Sequence, residues 1–393
     1  MKNKTKLLIR DAFFSTLLSS ILVFLLALVV FNISFLNPFY KAFVDFSFLD
    51  VYYAEIFHNT TKVNTDIVLI NVQNKNRLEI AQMLKGIIEE DPKTIGVDVI
   101  FRDKKENVFA DSLLASLLKK ENIITSYDIE DNEIIFNHSY FGKTEKNGYI
   151  DFNFDTETSV IREFNGKTNV LGKERLSFAS QIAKHYLNGK WQKFGYNNRL
   201  KRANTIKFFG NYSTFQYLVF EDFLYQKKNI ILKDKIVILG YLGNPTGSRT
   251  DIADKFFTPL NQYFAGKTDR DMFGVTIHAN IVNMLINNNF MLTFSNFWLG
   301  VITFLTMFFS TVFYMKINRK HKVSYRTRKN IFQFVVSVFI LGFSLWLFKY
   351  SVVLKPVVII FGVILAGSYF KYYKHFTRYL KSKFKIKWKT YLK

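Results

Sequence analysis

The sequence predicts an α/β domain built on a mixed sheet, lying outside the cytoplasm and held by four transmembrane helices. The first observation behind this is the distribution of charge. From Met272 to the C-terminus there is no Asp or Glu but 18 Lys or Arg, and the first 44 residues carry five basic groups and one acidic. These ends account for 22 of the formal net charge of +23, while Asp45 to Asp271 holds 31 basic and 30 acidic residues. Basic residues beside apolar runs mark the cytoplasmic ends of membrane helices, so the high pI reports topology and gives no reason to expect nucleic acid. The second observation is four apolar runs of spanning length. The third is an alternation of β-rich and helix-periodic segments between the first run and the second.

The first run, Ala12 to Phe31, has 20 residues and follows Lys2, Lys4, Lys6 and Arg10. It reads as a retained anchor whose preceding residues 1–11 stay inside; a cleaved signal peptide is the rival, for which the run is long and lacks a small-x-small site. The second run covers 297–315 and ends in a loop, 316–330, with seven Lys or Arg, which fixes that loop on the cytoplasmic face. The third, 331–348, travels outward, and the fourth, 352–370, returns. Residues 32–296 are then one large outer domain, and 371–393 are a basic cytoplasmic tail. The tail alternates aromatic and basic residues, with Lys371, Lys374, Arg378, Lys381, Lys383, Lys385, Lys387 and Lys389 as candidate contacts to anionic lipid or to a cytoplasmic partner. No acid or histidine lies inside the second to fourth runs, which argues against a proton or cation relay.

Phe at 44 and Tyr at 21 are abundant, largely in or beside the apolar runs. Absence of cysteine removes disulfides and thiolate chemistry. Six histidines without an HExxH spacing leave little for zinc, and neither a metal nor a cofactor is expected.

Within the outer domain, TDIVLINV (65–72) reads as a strand, 78–90 as a helix ended by Pro92, TIGVDVIF (94–101) as a strand, 108–119 as a helix and IITSYDI (123–129) as a third strand. That order predicts a parallel core. Short strands at 133–136, 148–154 and 160–164 suggest an antiparallel extension. A helix at 176–188, a strand at 205–209, a helix near 215–226, a strand at 235–242 and a helix at 275–288 complete the domain.

GNPTGSRTD (243–251) lacks the GK[ST] ending of a phosphate loop and reads as a tight turn, with a small-ligand contact as the alternative. Asp251 and Asp254 lie three apart and could share a helical turn, where capping or salt bridging is favoured over metal binding. Asp98, inside a central strand, is read first as a hydrogen-bond anchor at the sheet end and second as part of a pocket; Asp151 is similar. His278 opens the last helix as a satisfied structural histidine, with a pH-sensing or ligand role as the alternative. No catalytic triad, paired-acid or dinucleotide pattern can be assembled, so no enzyme activity is expected.

Several segments, in order, resemble the CHASE2 domain, an extracytoplasmic sensory module of bacterial signalling proteins. They include DIVLINV, IGVDVIF, ADSLLASLLKKENII, YIDFNFDTETSVIREF, LSFASQIAKHYL, LKDKIVILGYLGNPTGSRTDIADKFFTPL and GVTIHANIVNMLI. Together they cover about residues 36–292, and one preceding and three following spans also match the family's usual arrangement. The resemblance implies a multi-pass protein of the bacterial inner membrane with its large domain outside and both termini in the cytoplasm. Its landmark positions fall on Asp98, Asp151, Asp254, Thr258, Pro259 and His278. Family members follow the third of those spans with a kinase or cyclase, whereas 23 residues follow Phe370 here. The expected function is therefore a non-enzymatic sensor or accessory subunit coupled to a separate membrane or cytoplasmic protein; the alternative is a structural adaptor in a cell-envelope complex. Bilayer lipid is an expected partner, a homo-oligomer is compatible with this role, and nucleic acid is not expected.

Overall fold

The computed structural model describes residues 2–32, 50, 52–53, 62–130, 133–142, 146–154, 159–225, 230–261, 269–320, 324–385 and 389–392. They divide into two compact units, one of residues 49–291 and one combining 1–48 with 292–393.

The first unit starts with β1 (Asn64–Asn71), whose last five residues are all buried, as a strand covered on both faces requires. Asn76 caps α2 (Arg77–Ile88), accepting from the Leu78 and Glu79 amides while Glu79 reaches back to the Asn76 amide, a reciprocal capping box. The chain continues through β2 (Thr94–Val97), α3 (Val108–Leu118), β3 (Ile123–Glu130), β4 (Glu133–Ile135) and β5 (Asn147–Tyr149). Two small antiparallel pieces follow, β6 (Asn153–Phe154) with β7 (Ile161–Phe164) and β8 (Lys167–Val170) with β9 (Lys173–Leu176). Ser177 then caps α4 (Phe178–Leu187). Later come β10 (Asn204–Thr205), β11 (Phe215–Leu218), α5 (Phe220–Leu224), β12 (Ile236–Gly240), β13 (Lys255–Phe256), β14 (Met272–Phe273) and α6 (Gly274–Ile286).

The main sheet has the order β11-β1-β12-β2-β3, and β3 is extended by β5 and β4. All of these pair in parallel except β4, which is antiparallel to β3. One face packs on α2, α3 and α5 around Ile70, Leu84, Leu114 and Val237, and the other carries α4 and α6. The second face is close: a Cβ on Gly148 would lie 2.5 Å from the Phe178 backbone, and one on Gly240 2.8 Å from Val275 Cγ2. The chain leaves β1 and β2 toward the first face and β12 toward the second. The C-terminal end of β12 is thus flanked by connections running the opposite way, which is where open α/β sheets form a crevice.

Four expectations are corrected. The helix near 215–226 is instead β11 followed by a single turn, because Phe215 to Leu218 pairs in parallel with the edge of β1. The segment 148–154 is split: β5 joins the main sheet in parallel, and only β6 belongs to an antiparallel pair. The strand at 205–209 is short, since the amides of Phe209 and Gly210 bond to the side chain of Asn280 instead of to a neighbouring strand. Asp254 does not share a helical turn with Asp251, because its φ of 51° takes it out of helical conformation.

The second unit contains α1 (Lys2–Asn32), α7 (Asn296–Lys320), α8 (Tyr325–Lys349) and α9 (Pro356–Phe384). Among the described residues these four helices are long and apolar enough to cross a membrane. The helices outrun the apolar windows at most ends. Val352 and Val353 instead form β16, paired with β15 (Leu292–Thr293), and the last helix starts at Pro356, whose missing amide proton costs nothing at a first turn. Tyr314 donates to the Val363 carbonyl, and Gly362 lets Met307 and Thr303 pack onto α9. Phe309, Phe334 and Phe339 stand outward, each about two-thirds exposed, as side chains facing lipid would.

Candidate functional site

The C-terminal ends of the parallel strands gather most of the polar residues singled out above. Asn71, the last residue of β1, is fully buried; its amide donates to the Gly243 carbonyl and Thr246 Oγ1, and its oxygen accepts from the amides of Gln73 and Leu242. That side chain fixes the start of the loop after β12. Asp251 fixes the other end by accepting from the Tyr241 hydroxyl and the amides of Asn244 and Ala253. GNPTGSRTD is therefore a tied turn, and Asp251 is one of its anchors.

Asp98 follows β2 directly, with its amide donating to the Leu239 carbonyl. The anchoring role expected for this residue falls to its backbone, while its side chain starts beside Gly240 and its carboxyl is within electrostatic reach of Asp254. Asp254 is exposed as a residue, yet its carboxyl turns inward: a Cβ on Gly274 would meet the two oxygens at 3.0 and 3.1 Å. The pair thus sits at the N-terminus of α6. Removal from water, reinforced by Asp254, holds Asp98 well above the ordinary carboxylate range, and removal from water raises Asp254 to about 7.

One turn along α6, His278 is buried, with its ring 4.6 Å from Phe152 and 5.2 Å from Phe178. Burial lowers its pKa to about 3, so it is neutral. Its Nδ1 has no hydrogen-bond partner among the described residues, which corrects the expectation of a satisfied histidine. Phe152 also packs on Phe256, next to Gly274, so Asp254, Phe256, Phe152 and His278 form one contiguous cluster.

Thr258 and Pro259 are buried but play a scaffold part. Thr258 donates its amide and hydroxyl to Asp271, closing the β13–β14 hairpin around a carboxyl that burial raises to about 7. Asp151 lies apart, beside Asp128, where burial and that second carboxylate raise it to about 6. Sequence reasoning missed Asp271 and Asn280. The Asn280 side chain, fully buried, accepts from the Phe209 and Gly210 amides and donates to the Gly210 and Thr276 carbonyls. It positions the segment 209–212, whose Asn211 reaches the Asp271 carbonyl.

Between that segment, the loop after β12 and the hairpin lies a cleft of about 560 Å³. Arg249, Arg270, Asp269, Asn261 and Tyr212 line it, with Phe273 as an apolar wall. Lys255 Nζ donates to the Ser248 and Arg249 carbonyls, bracing the rim. Among the described residues no three His, Asp or Glu side chains converge as a metal site requires.

In the second unit, Lys371 lies over the Tyr325 ring, Lys383 donates to the Tyr379 hydroxyl and Lys385 ends α9. Lys374, Arg378, Lys381 and Lys389 converge on one cavity, and Lys387 lies outside the described residues.

The raised carboxyls set the pH dependence. Asp98, Asp151, Asp254 and Asp271 hold protons in the folded state above the ordinary value of 3.8, so their contribution is present at low pH and is lost as pH rises, through about 6 for Asp151 and about 7 for Asp254 and Asp271. His278 works oppositely: its contribution is present above 6.5 and is lost as pH falls toward 3. Four groups outweigh one, so the Tm of the full-length chain in detergent should fall by at least about 3 °C between about pH 5.5 and pH 8. Asp254→Asn should reduce that fall. A Tm that is flat or rising across the same range would show that these carboxyls are ordinary.

No curated protein and no solved structure matches this sequence. Residues 22–313, about three quarters of the chain, match the CHASE2 domain, so the chain belongs to the CHASE2 family of extracellular sensory domains.

Proposed function

We propose that this protein is a non-enzymatic sensor of the bacterial inner membrane, with both termini cytoplasmic, whose outer unit binds a small zwitterion and signals to a separate protein. The observation that carries this reading is the cleft at the C-terminal ends of the sheet. It presents both signs of charge, Arg249 paired with Asp269 at 3.6 Å across exposed side chains and Arg270 beside them, next to amides and an aromatic wall; a zwitterion can exchange with that exposed pair, which suits an amino acid or short peptide. The same loops lead through β14 into α6, and α6 ends nine residues before the second membrane-spanning helix begins. A ligand that favours one arrangement of those loops can therefore bias the helix leading into the membrane.

A sensing role also suits His278 and His185, neither of which lines the cleft. The neutral His278 is walled by phenyl rings, and a Thr–His hydrogen bond, Thr94 to His185 at 2.8 Å, lies at the opposite ends of the strands with Thr94 fully buried. Neither offers an activated nucleophile to the cleft.

Thermal unfolding of the full-length chain against amino acids, dipeptides, phosphate esters and sugars tests this. A zwitterion at 100 times its Kd should raise Tm by about 5–10 °C, and Arg249→Ala should abolish the rise. A response only to sugars or phosphate esters, or a stoichiometric protein complex formed without any ligand, would replace this reading.

A further inference from the structure

The chain contains three Asn-Gly pairs, 147–148, 165–166 and 188–189, and the fold treats them differently. Asn147 is the first residue of β5, and Gly148 is pressed against the Phe178 backbone. Asn165 follows β7 directly, its carbonyl accepting from the Tyr149 hydroxyl, while Gly166 is covered by Leu200. Asn188 lies in the open, between α4 and the short helix Gly189–Lys193, and both it and Gly189 are exposed. Its backbone is held at φ 48° and ψ −124°, close to the first central residue of a type II′ turn. The Asn188 amide donates to the Lys184 carbonyl and the Trp191 amide donates to the Asn188 carbonyl, so the backbone is pinned on both sides. Its carboxamide makes no capping bond to the helix that follows.

We infer that Asn188 is a site of self-modification, where the carboxamide closes on the Gly189 backbone amide and is then hydrolysed to aspartate or isoaspartate. On an L-residue Cβ stands about 120° from N around the Cα–C bond, so a ψ of about −120° eclipses the following nitrogen with Cβ. At −124°, Asn188 holds the Gly189 nitrogen in the plane that a five-membered ring through Cγ needs, leaving side-chain rotation as the remaining motion. Strand residues such as Asn147 hold ψ at about +115° instead, which carries the next nitrogen away from Cβ. The Gly189 nitrogen bonds to Cγ as its proton passes to water, the Cγ–Nδ2 bond breaks and ammonia leaves, giving a succinimide. Water then adds to either ring carbonyl and opens the ring, so one water enters and one ammonia departs with no oxidant or reductant. The product places a carboxylate in the run 184–193, which holds Lys184, Lys190 and Lys193 and no acid. This chemistry is independent of what the outer unit senses.

The test incubates the full-length chain in nanodiscs at mildly alkaline pH and follows all three pairs by peptide mass mapping, with isoaspartate read by enzymatic methylation. Asn188 should convert at least about tenfold faster than Asn147 and Asn165, to a mixture of aspartate and isoaspartate. In guanidinium chloride, where no fold orients the three pairs, their rates should agree within about threefold. Gly189→Ala should slow conversion at Asn188 at least about tenfold, because the new methyl obstructs the attacking nitrogen. It should leave the Tm unchanged, since no atom lies within 4 Å of that methyl. Equal rates at the three pairs in the folded chain, conversion to aspartate alone, or Gly189→Ala converting as fast as the parent would each overturn the inference.

Discussion

Asn280→Leu is expected to destabilise the outer unit by about 2–6 kcal/mol and to remove its ligand response. The leucine fills the space but leaves the amides of Phe209 and Gly210 without an acceptor, and an orphaned buried donor costs about 1–3 kcal/mol. The segment 209–212 forms one wall of the cleft, so its release should reach the site before it unfolds the domain. Asn280→Asp keeps an acceptor for both amides and should lose less. Thermal unfolding of the three proteins, at about 2–4 °C per kcal/mol, reads the order directly. If Asn280→Leu melts with the parent, the side chain does not organise that wall.

The second large effect is expected at Asp11. Its carboxyl is fully buried and bonded by Arg10, Tyr373 and Tyr391, so alanine removes the one acceptor that ties these three residues together. Breaking a buried pair costs roughly 3–5 kcal/mol; with the Arg10 side chain 36% exposed, about 2–3 is the reasonable expectation. The first consequence should be local, the release of residues 389–392. Because the chain has no cysteine, Leu392→Cys gives a single labelling site. Maleimide should react slowly there in the parent and at least about tenfold faster after Asp11→Ala, the minimum that about 1.4 kcal/mol of lost closure allows. Equal labelling rates would show that Asp11 does not hold the segment.

The four long apolar helices and the parallel core were legible because their signals are strong and continuous. Runs such as Ile67 to Ile70 and Ile236 to Leu239 are apolar without interruption, as strands buried on both faces must be. Phe215 to Leu218 misled because FQYL is too short to separate a period of two from a helical turn, and the neighbouring aromatic residues extend the helical reading. At the site, Asp98 and His278 stood out as polar residues among apolar neighbours, and Asp254 by its spacing of three from Asp251. Their convergence was not legible, since it depends on β12 inserting between β1 and β2 and on Gly274 admitting a carboxyl where a side chain would clash. Asn280 and Asp271 gave no signal, because a buried amide or acid is recognised by the backbone groups it satisfies. Asp11 did carry one: it is the sole acid among the first 44 residues and lies at the start of an apolar run.

The most direct measurement is hydrogen–deuterium exchange of the full-length chain in nanodiscs, with and without the zwitterion that raises its Tm. Binding in the cleft predicts slower exchange in 209–214, 243–251 and 269–273, with a further change in α6 as the loops bias the helix that leads into the membrane. Protection confined to other surfaces, or a raised Tm without protection in those three segments, would contradict a sensory cleft at the C-terminal ends of the sheet.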